Sequence, residues 1–220
     1  MKPLQVNSWV AYQKAMDSAT CRVAVDAGGN DGGYTHTLLV NGFGVHVFEP
    51  VPVMCDMIRA RFKDDDKPIF INQLGLSDKR ETLHNVTVLE CWTIGKVGDG
   101  GLSVKPEMKD SPPFTMHTIP LDDYLGNTRI GLLKLDTDGY EFKVLRGAEK
   151  TLRRDKPPIL CEFGKYISAL GEKPEDFVNF IFRLGYDVWS CDGENKFTSW
   201  AEIDPQWPWN TTFDVMLLPR

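Results

Sequence analysis

Arg22-Val23-Ala24-Val25-Asp26 runs directly into Ala27-Gly28-Gly29-Asn30-Asp31-Gly32-Gly33, and an apolar segment then extends to Asn41 before Gly42 and Gly44 interrupt it. A β-branched run, a glycine-rich turn and a helix from Gly33, in that order, form the first unit of a parallel α/β sheet. Glycines at this turn let a ligand approach the backbone, and the helix start offers N–H groups without partners. That combination is a binding position for a nucleotide-like cofactor.

The choice of cofactor turns on the residues between the glycines. The dinucleotide fingerprint G-x-G-x-x-G fails in either frame, because Asn30 takes the second glycine position when counting starts at Gly28, and Asp31 takes it when counting starts at Gly29. Asp26, at the mouth of the strand, would repel a pyrophosphate and attract an ammonium group. S-adenosylmethionine carries that ammonium and no phosphate. Glu49 closes the second run, Val45-His46-Val47-Phe48-Glu49, where it is placed to accept hydrogen bonds from both ribose hydroxyls. NAD and adenosylmethionine proteins share that feature, so an NAD(P)-dependent oxidoreductase and a non-catalytic nucleotide-binding module stay as alternatives.

Beyond the loop the alternation of short apolar runs with helical-period segments continues. Pro50 and Pro52 open a helix with Met54, Met57, Ile58 and Arg61/Phe62 at helical spacing, and Ile69–Ile71 is the third strand. Thr82 to Leu89 alternates as a strand, and Phe114 to Thr118 is its return. Cys91 to Pro113 between them carries Gly95, Gly98, Gly100, Gly101, Pro106, Pro112 and Pro113, which spells a long lid-like loop. Residues 82–118 are therefore read as an inserted strand-loop-strand. Ile130–Leu135 is the clearest strand, followed by a helix with Phe142, Leu145, Ala148 and Leu152 on one face. Pro157–Glu162 is another strand. Pro174 opens a helix with Phe177, Phe180, Ile181 and Leu184 inward, closed by Gly185, and Tyr186–Ser190 and Phe213–Leu218 finish the sheet. The reading is one domain over residues 1–220, with 1–20 as an N-terminal helical extension.

Composition narrows the partners. A formal charge of −6, with only Arg153-Arg154-Asp155-Lys156 as a basic run, gives no footprint for gripping phosphate backbones, so nucleic acid is not the expected substrate. No apolar stretch is long enough to span a membrane, and Met1 to Thr20 lacks the pattern of a secretory leader. The expectation is a cytoplasmic protein. Five scattered cysteines without a C-x-x-C pair read as reduced thiols, and four scattered histidines give no metal-ligand pair.

The segments Val25 to Thr35, Val47-Phe48-Glu49-Pro50, Pro120 to Leu125, and Leu133 to Glu141 followed by Val144 to Glu149 resemble the FkbM family of methyltransferases. The resemblance covers about residues 22 to 165. It implies the class I methyltransferase Rossmann-like α/β fold: a mostly parallel seven-stranded sheet in the order 3-2-1-4-5-7-6, the last strand antiparallel, flanked by helices. It also implies S-adenosylmethionine as cofactor and O-methylation of a hydroxyl on a sugar, glycan or polyketide-like small molecule. By resemblance Asp26, Gly28, Asn30 and Gly32 line the methionine end of the cofactor, with Tyr34 and Asp136 counted beside them, Glu49 the ribose, and Gln73 and Leu74 the adenine. Gly29 and Asp31 depart from the family, which has alanine and an apolar residue there, and Asp138 replaces its glutamate.

Asp136, Asp138 and Glu141 follow the fourth strand, next to the first across the topological switch, where an acceptor would sit. Asp136 is the first candidate for general base, Lys134 can pair with it, and Asp138 and Glu141 are further catalytic candidates. The D-x-x-E spacing is equally that of a helix capping box, with Asp138 as cap and Glu141 reaching back. Three acids could also hold a divalent cation, although no metal is expected. Trp200, Trp207 and Trp209 offer an aromatic platform or a packed core edge. His36 and His117 are reserve bases.

Overall fold

The computed structural model describes Leu4 and residues 10–88, 94–96 and 112–220. The first half runs α1 (Val10–Asp17), β1 (Val23–Ala27), α2 (Gly33–Val40), β2 (Gly44–Phe48), α3 (Pro52–Arg61) and β3 (Ile69–Asn72). An insert follows, made of β4 (Gly75–Leu76), β5 (Glu81–Val88), β6 (Ile94–Lys96) and β7 (Phe114–Ile119), and α4 (Leu121–Leu125) leads out of it. The second half is β8 (Leu132–Leu135), α5 (Glu141–Gly147), α6 (Glu149–Asp155), β9 (Ile159–Gly164), α7 (Lys165–Ala169), α8 (Pro174–Arg183), β10 (Tyr186–Trp189), β11 (Lys196–Phe197), α9 (Trp200–Ile203) and β12 (Thr212–Pro219).

The main sheet is ordered β11-β10-β12-β9-β8-β1-β2-β3. Pairing from β3 to β9 is parallel, and β12 lies antiparallel to both neighbours. The expected order is thus present, with one difference in detail: β11, only two residues long, adds an eighth strand at the edge. Alternation sorts the side chains. Ala24, Val45, Val47, Leu132, Leu160 and Met216 pack with residues of α1, α2 and α3, while Val25, Ala27, Leu133, Leu135, Ile159 and Cys161 enter the larger core on the other face. The chain leaves β1 towards β2 on one side and returns to it through β8 on the other, which opens a crevice at the carboxyl ends of β1 and β8.

The insert forms its own sheet, β4-β7-β5-β6. β5 and β7 pair antiparallel, with a bulge between Leu83 and Val86 where Asn85 takes φ 55°. β6 falls inside the expected loop; the rest of that loop, apart from Pro112 and Pro113, lies outside the described residues.

Two helix expectations need correction. Met57 is 47% exposed, and α3 instead buries Met54, Cys55 and Ile58, with Phe62 just after it. The helix expected through Ala148 is two helices, α5 and α6, with Ala148 at φ −113° between them. The insert presses on this joint: a side chain at Gly147 would place its first carbon 2.0 Å from the Ser77 carbonyl oxygen. Among the described residues no helix is long and apolar enough to cross a membrane.

Candidate active site at the carboxyl edge of the sheet

The glycine loop is held by the end of β2. The N–H groups of Gly28 and Gly29 donate to the Phe48 carbonyl at 2.9 and 3.1 Å. Glu49 is buried just beyond, accepting from the Asn30 N–H at 2.8 Å on one oxygen and from the Val51 N–H at 2.9 Å on the other. Burial pushes this carboxyl up to about 7 against the pull of those two donors. A carboxylate offers about four acceptor sites, so two are left for hydroxyls in the cavity that Glu49 lines. Gly28, at φ 84°, is the point where the β1 and β8 loops touch, because a Cβ there would lie 1.8 Å from the Asp136 carbonyl oxygen.

Two of the three departures from the family pattern, both in the glycine loop, have local reasons. A Cβ on Gly29 would come within 2.4 Å of Val47 Cγ1, so valine already fills the space an alanine methyl would take. Asp31 turns to the start of α2, where its carboxylate accepts from the Gly33 N–H at 3.0 Å, and its carbonyl accepts from Arg61 at 3.1 Å.

Asp26 and Lys134 are register partners on β1 and β8. Lys134 is buried; its Nζ donates to the Gly28 carbonyl at 2.7 Å and pairs with Asp136 at 3.3 Å and Asp26 at 3.5 Å. Burial alone would pull this lysine down, but Asp136 and Asp26 more than reverse it and hold it above the ordinary range. Asp26 has no exposed surface and accepts from the Thr35 hydroxyl at 2.6 Å. Burial pushes it up, opposed by Lys134 and Thr35. The direct ammonium contact expected of Asp26 does not fit this placement, because α2 and Lys134 enclose it behind the cavity wall. Its contribution reaches the cavity through Lys134 and Asp136, whose side chain is 36% exposed. Lys134 Nζ also lies 4.8 Å from the centre of the Tyr34 ring, and Tyr34 stacks on Tyr12 of α1 at 5.1 Å. With Gly29, Asn30, Asp31, Gly33 and Asp136, Tyr34 and Lys134 line a groove on the outer side of the loop. Gly32, at φ 82°, packs against Phe62 and is in neither lining.

The acids after β8 divide into two kinds. Glu141 is buried, and its carboxylate ties the loop together by accepting from the Thr137 N–H at 2.7 Å, the Thr137 hydroxyl at 2.9 Å and the Gly139 N–H at 2.9 Å. It does not line the cavity. The capping-box reading also changes: Asp138 sits at φ 51°, outside the helix, and α5 starts only at Glu141 with no side-chain cap. Asp136 and Asp138 do line the cavity, and the third acid that meets them is Glu162, from β9; one carboxylate oxygen from each lies within 4.8 Å of the others. Register explains the meeting, since Leu135 pairs with Cys161 and the next residues, Asp136 and Glu162, emerge side by side. Asp138 is pushed up to about 7 by burial and then by Asp136 and Glu141. Among the described residues no lysine or arginine pairs with Asp138 or Glu162.

The other wall of the cavity is apolar: Phe48, Val51 and Met54 from the β2–α3 side, and Gly75, Leu76 and Met116 from the insert. Gln73 and Leu74, expected at the adenine, do not line the cavity; Gly75 and Leu76 do. Gln73 is exposed and Leu74 lines a shallow groove with His117 on the far side of the insert, because the chain turns after Asn72 to pair β4 with β7. His36 and His117 are exposed and absent from the cavity lining. Trp207 is buried against Phe163, Trp200 packs on it, and Trp209 alone of the three is exposed, at 55%.

Residues 26–188 match the family model described as the methyltransferase FkbM domain. No curated protein matches the chain significantly. Among solved structures, an FkbM methyltransferase from Methylobacillus flagellatus KT superposes with a TM-score of 0.54 at 15% identity, over 90% of this chain and 43% of that one. This chain therefore spans less than half the length of that relative. An rRNA methylase from Streptococcus thermophilus gives 0.51 at 13% identity, covering 95% of this chain and 93% of that one. The N-methyltransferase NodS from Bradyrhizobium japonicum WM9 gives 0.50 at 9% identity, over 96% and 93% of the two chains. At these identities the solved structures establish a shared methyltransferase fold.

Proposed function

We propose that this chain, which belongs to the FkbM methyltransferase family, binds S-adenosylmethionine at the carboxyl edge of β1, β2 and β8 and methylates a hydroxyl of a small molecule, sugar or glycan. One observation carries the reading: Asp136, Asp138 and Glu162 converge on a cavity with no lysine or arginine in its lining, and the one cation ion-paired to any of them among the described residues, Lys134, is already shared with buried Asp26. Such a site has more carboxyl groups than cations, and these ionise towards a cationic ligand and against a diphosphate.

The residues fit the cofactor. Glu49 keeps acceptor sites for a ribose diol, Asp136 faces the groove where an ammonium would be held, and Phe48, Val51, Met54, Leu76 and Met116 form the wall for a purine. Bound there, S-adenosylmethionine supplies a methyl group activated by its sulfonium. The chain's own contribution is chiefly position: an acceptor oxygen held about 3 Å from its target gains roughly 7–11 kcal/mol over free encounter. Lys134 and the Gly28 contact fix Asp136, and Glu141 fixes the loop bearing Asp138. The net charge of −6 supports a neutral or cationic acceptor over RNA.

Calorimetry with S-adenosylmethionine, S-adenosylhomocysteine and NADH tests the reading. Binding of the first two and not the third is expected; NADH binding without S-adenosylhomocysteine binding would reject it. Asp136→Asn should weaken S-adenosylmethionine by about tenfold, and an unchanged dissociation constant would remove Asp136 from the ammonium site.

A further inference from the structure

Glu162 lies in β9, a strand paired on both sides, two residues before its end, with Asp136 beside it and Asp214 across from it on β12. Each other acid near the cavity is occupied. Asp136 is engaged by Lys134, Glu49 spends both oxygens on backbone N–H groups, Asp26 and Glu141 are enclosed behind the wall, and Asp214 accepts from the Tyr12 hydroxyl at 3.1 Å. Of the acids that line the cavity, Glu49, Asp138 and Glu162 have no ion-pair partner among the described residues, and Glu49 is the one held by two backbone N–H groups at the ribose end, which leaves Asp138 and Glu162 for the acceptor. Of these, Asp138 belongs to a loop, whereas Glu162 is placed by the centre of the sheet, and groups on rigid elements are held more accurately.

We propose that Glu162 is the catalytic base, taking the proton from the acceptor hydroxyl as the methyl group is transferred. The proposal rests on the cofactor and acceptor reading above. The O–H bond breaks with its proton moving to a Glu162 carboxylate oxygen, the oxygen forms its bond to the methyl carbon, and the carbon–sulfur bond breaks with its pair left on sulfur. The charges balance, since one positive charge disappears at sulfur and one negative charge at Glu162.

The surroundings gate this base. Without ligand Glu162 is pushed up to about 9, first by burial and then by Asp136 and Glu141, with Asp138 adding to them and the Thr212 hydroxyl pulling the other way. Near neutral pH it therefore holds its proton. A positive charge entering the same cavity works in the opposite direction, so the carboxylate forms when the cofactor arrives and accepts a proton readily once that charge has gone.

Titration calorimetry of S-adenosylmethionine binding at pH 8, in buffers of different ionisation enthalpy, counts the protons released. At that pH Glu49, Asp138 and Glu141, each at about 7, are mostly ionised, while Glu162 is not. Wild type should release about one proton and Glu162→Gln almost none, and the variant, fixed in the neutral form, should bind about tenfold more weakly at this pH, as the linked proton requires. Equal release by both proteins overturns the proposal. No binding by wild type sinks the cofactor reading and the proposal with it, a result distinct from binding with unchanged proton release.

Should Glu162→Gln not fold, wild type alone decides. Its preference for S-adenosylmethionine over S-adenosylhomocysteine, which shares the amino-acid tail but lacks the charge at sulfur, should grow about tenfold or more between pH 7 and pH 9; a flat ratio overturns the proposal. Methyl label passed from cofactor into a host metabolite extract should fall about 10²-fold or more in Glu162→Gln, and unchanged transfer removes Glu162 as base.

Discussion

On the β1 side of the site Lys134 is enclosed by Asp26, Asp136 and the Gly28 carbonyl, whereas one strand away Asp138 and Glu162 approach each other with no cation between them. The two clusters share Asp136 and the same edge of the sheet, the first lying deeper than the second. They differ in completeness. A buried charge is tolerated when paired and hydrogen-bonded, which describes Lys134; a largely buried acid with no cation beside it stays neutral or waits for a positive charge, which describes Glu162. The first cluster stabilises the glycine loop in its binding shape, and the second holds a surplus that a ligand can use.

The largest effect is expected from breaking the complete cluster. Lys134→Met leaves Asp26 buried beside apolar neighbours and should cost about 3–5 kcal/mol at pH 8, measured by urea denaturation. The loss should shrink as pH is lowered, because burial raises Asp26 and protonation removes the uncompensated charge. A loss below about 1 kcal/mol at pH 8 would mean that the ammonium is not what holds these strands together.

Next in size is the pH response of the incomplete cluster. Glu162 at about 9, with Glu49, Asp138 and Glu141 at about 7, bind more protons in the folded chain than in the unfolded one, where ordinary carboxyls have already ionised. Stability must therefore fall as pH rises from about 5 to 9, the reverse of a salt-bridged carboxylate. Glu162→Gln should remove the part of the fall between pH 7 and 9 and be more stable than wild type at pH 8 by about 1 kcal/mol, or roughly 2–4 °C in melting temperature. A wild-type melting temperature that climbs from pH 5 to pH 9 would show that the acids are paired after all.

The comparison also separates what the sequence could carry from what it could not. Asp26, Glu49 and Asp136 were legible because each is an acid at the end of an apolar run, and a strand end in a parallel sheet is where ligands bind. Which of them meets the ligand was not. Whether Asp26 faces the cavity depends on Thr35 and Lys134 closing over it, which the strand pattern does not encode. Glu162 had the same local signal, an acid ending a short apolar run, but its partnership with Asp136 needs the register between β8 and β9, set by packing between distant segments. The D-x-x-E spacing misled for a backbone reason: Asp138 in a left-handed conformation delays the helix to Glu141. Gln73 and Leu74 missed the cavity by two residues because β4 pairs with β7, which lies some forty positions later.

The smallest effect tests whether the glycine loop's extra charge belongs to either cluster. Asp31 lines the outer groove, yet its carboxylate is turned to the Gly33 N–H, at the positive end of α2. If the helix start is its partner, Asp31→Ala should cost about 0.5–1 kcal/mol of stability, the scale of a lost helix-start bond, and should leave S-adenosylmethionine affinity within about threefold. If Asp31 instead belongs with the acids that attract the cofactor, the pattern inverts: stability holds, affinity drops by tenfold or more, and the drop shrinks in high salt because the residue is exposed. Measuring both quantities on one variant at two salt concentrations separates these outcomes. The inverted result would move the surplus of negative charge from the β8–β9 edge to the loop itself, and the contrast between a complete and an incomplete cluster would no longer explain why this site favours a cation.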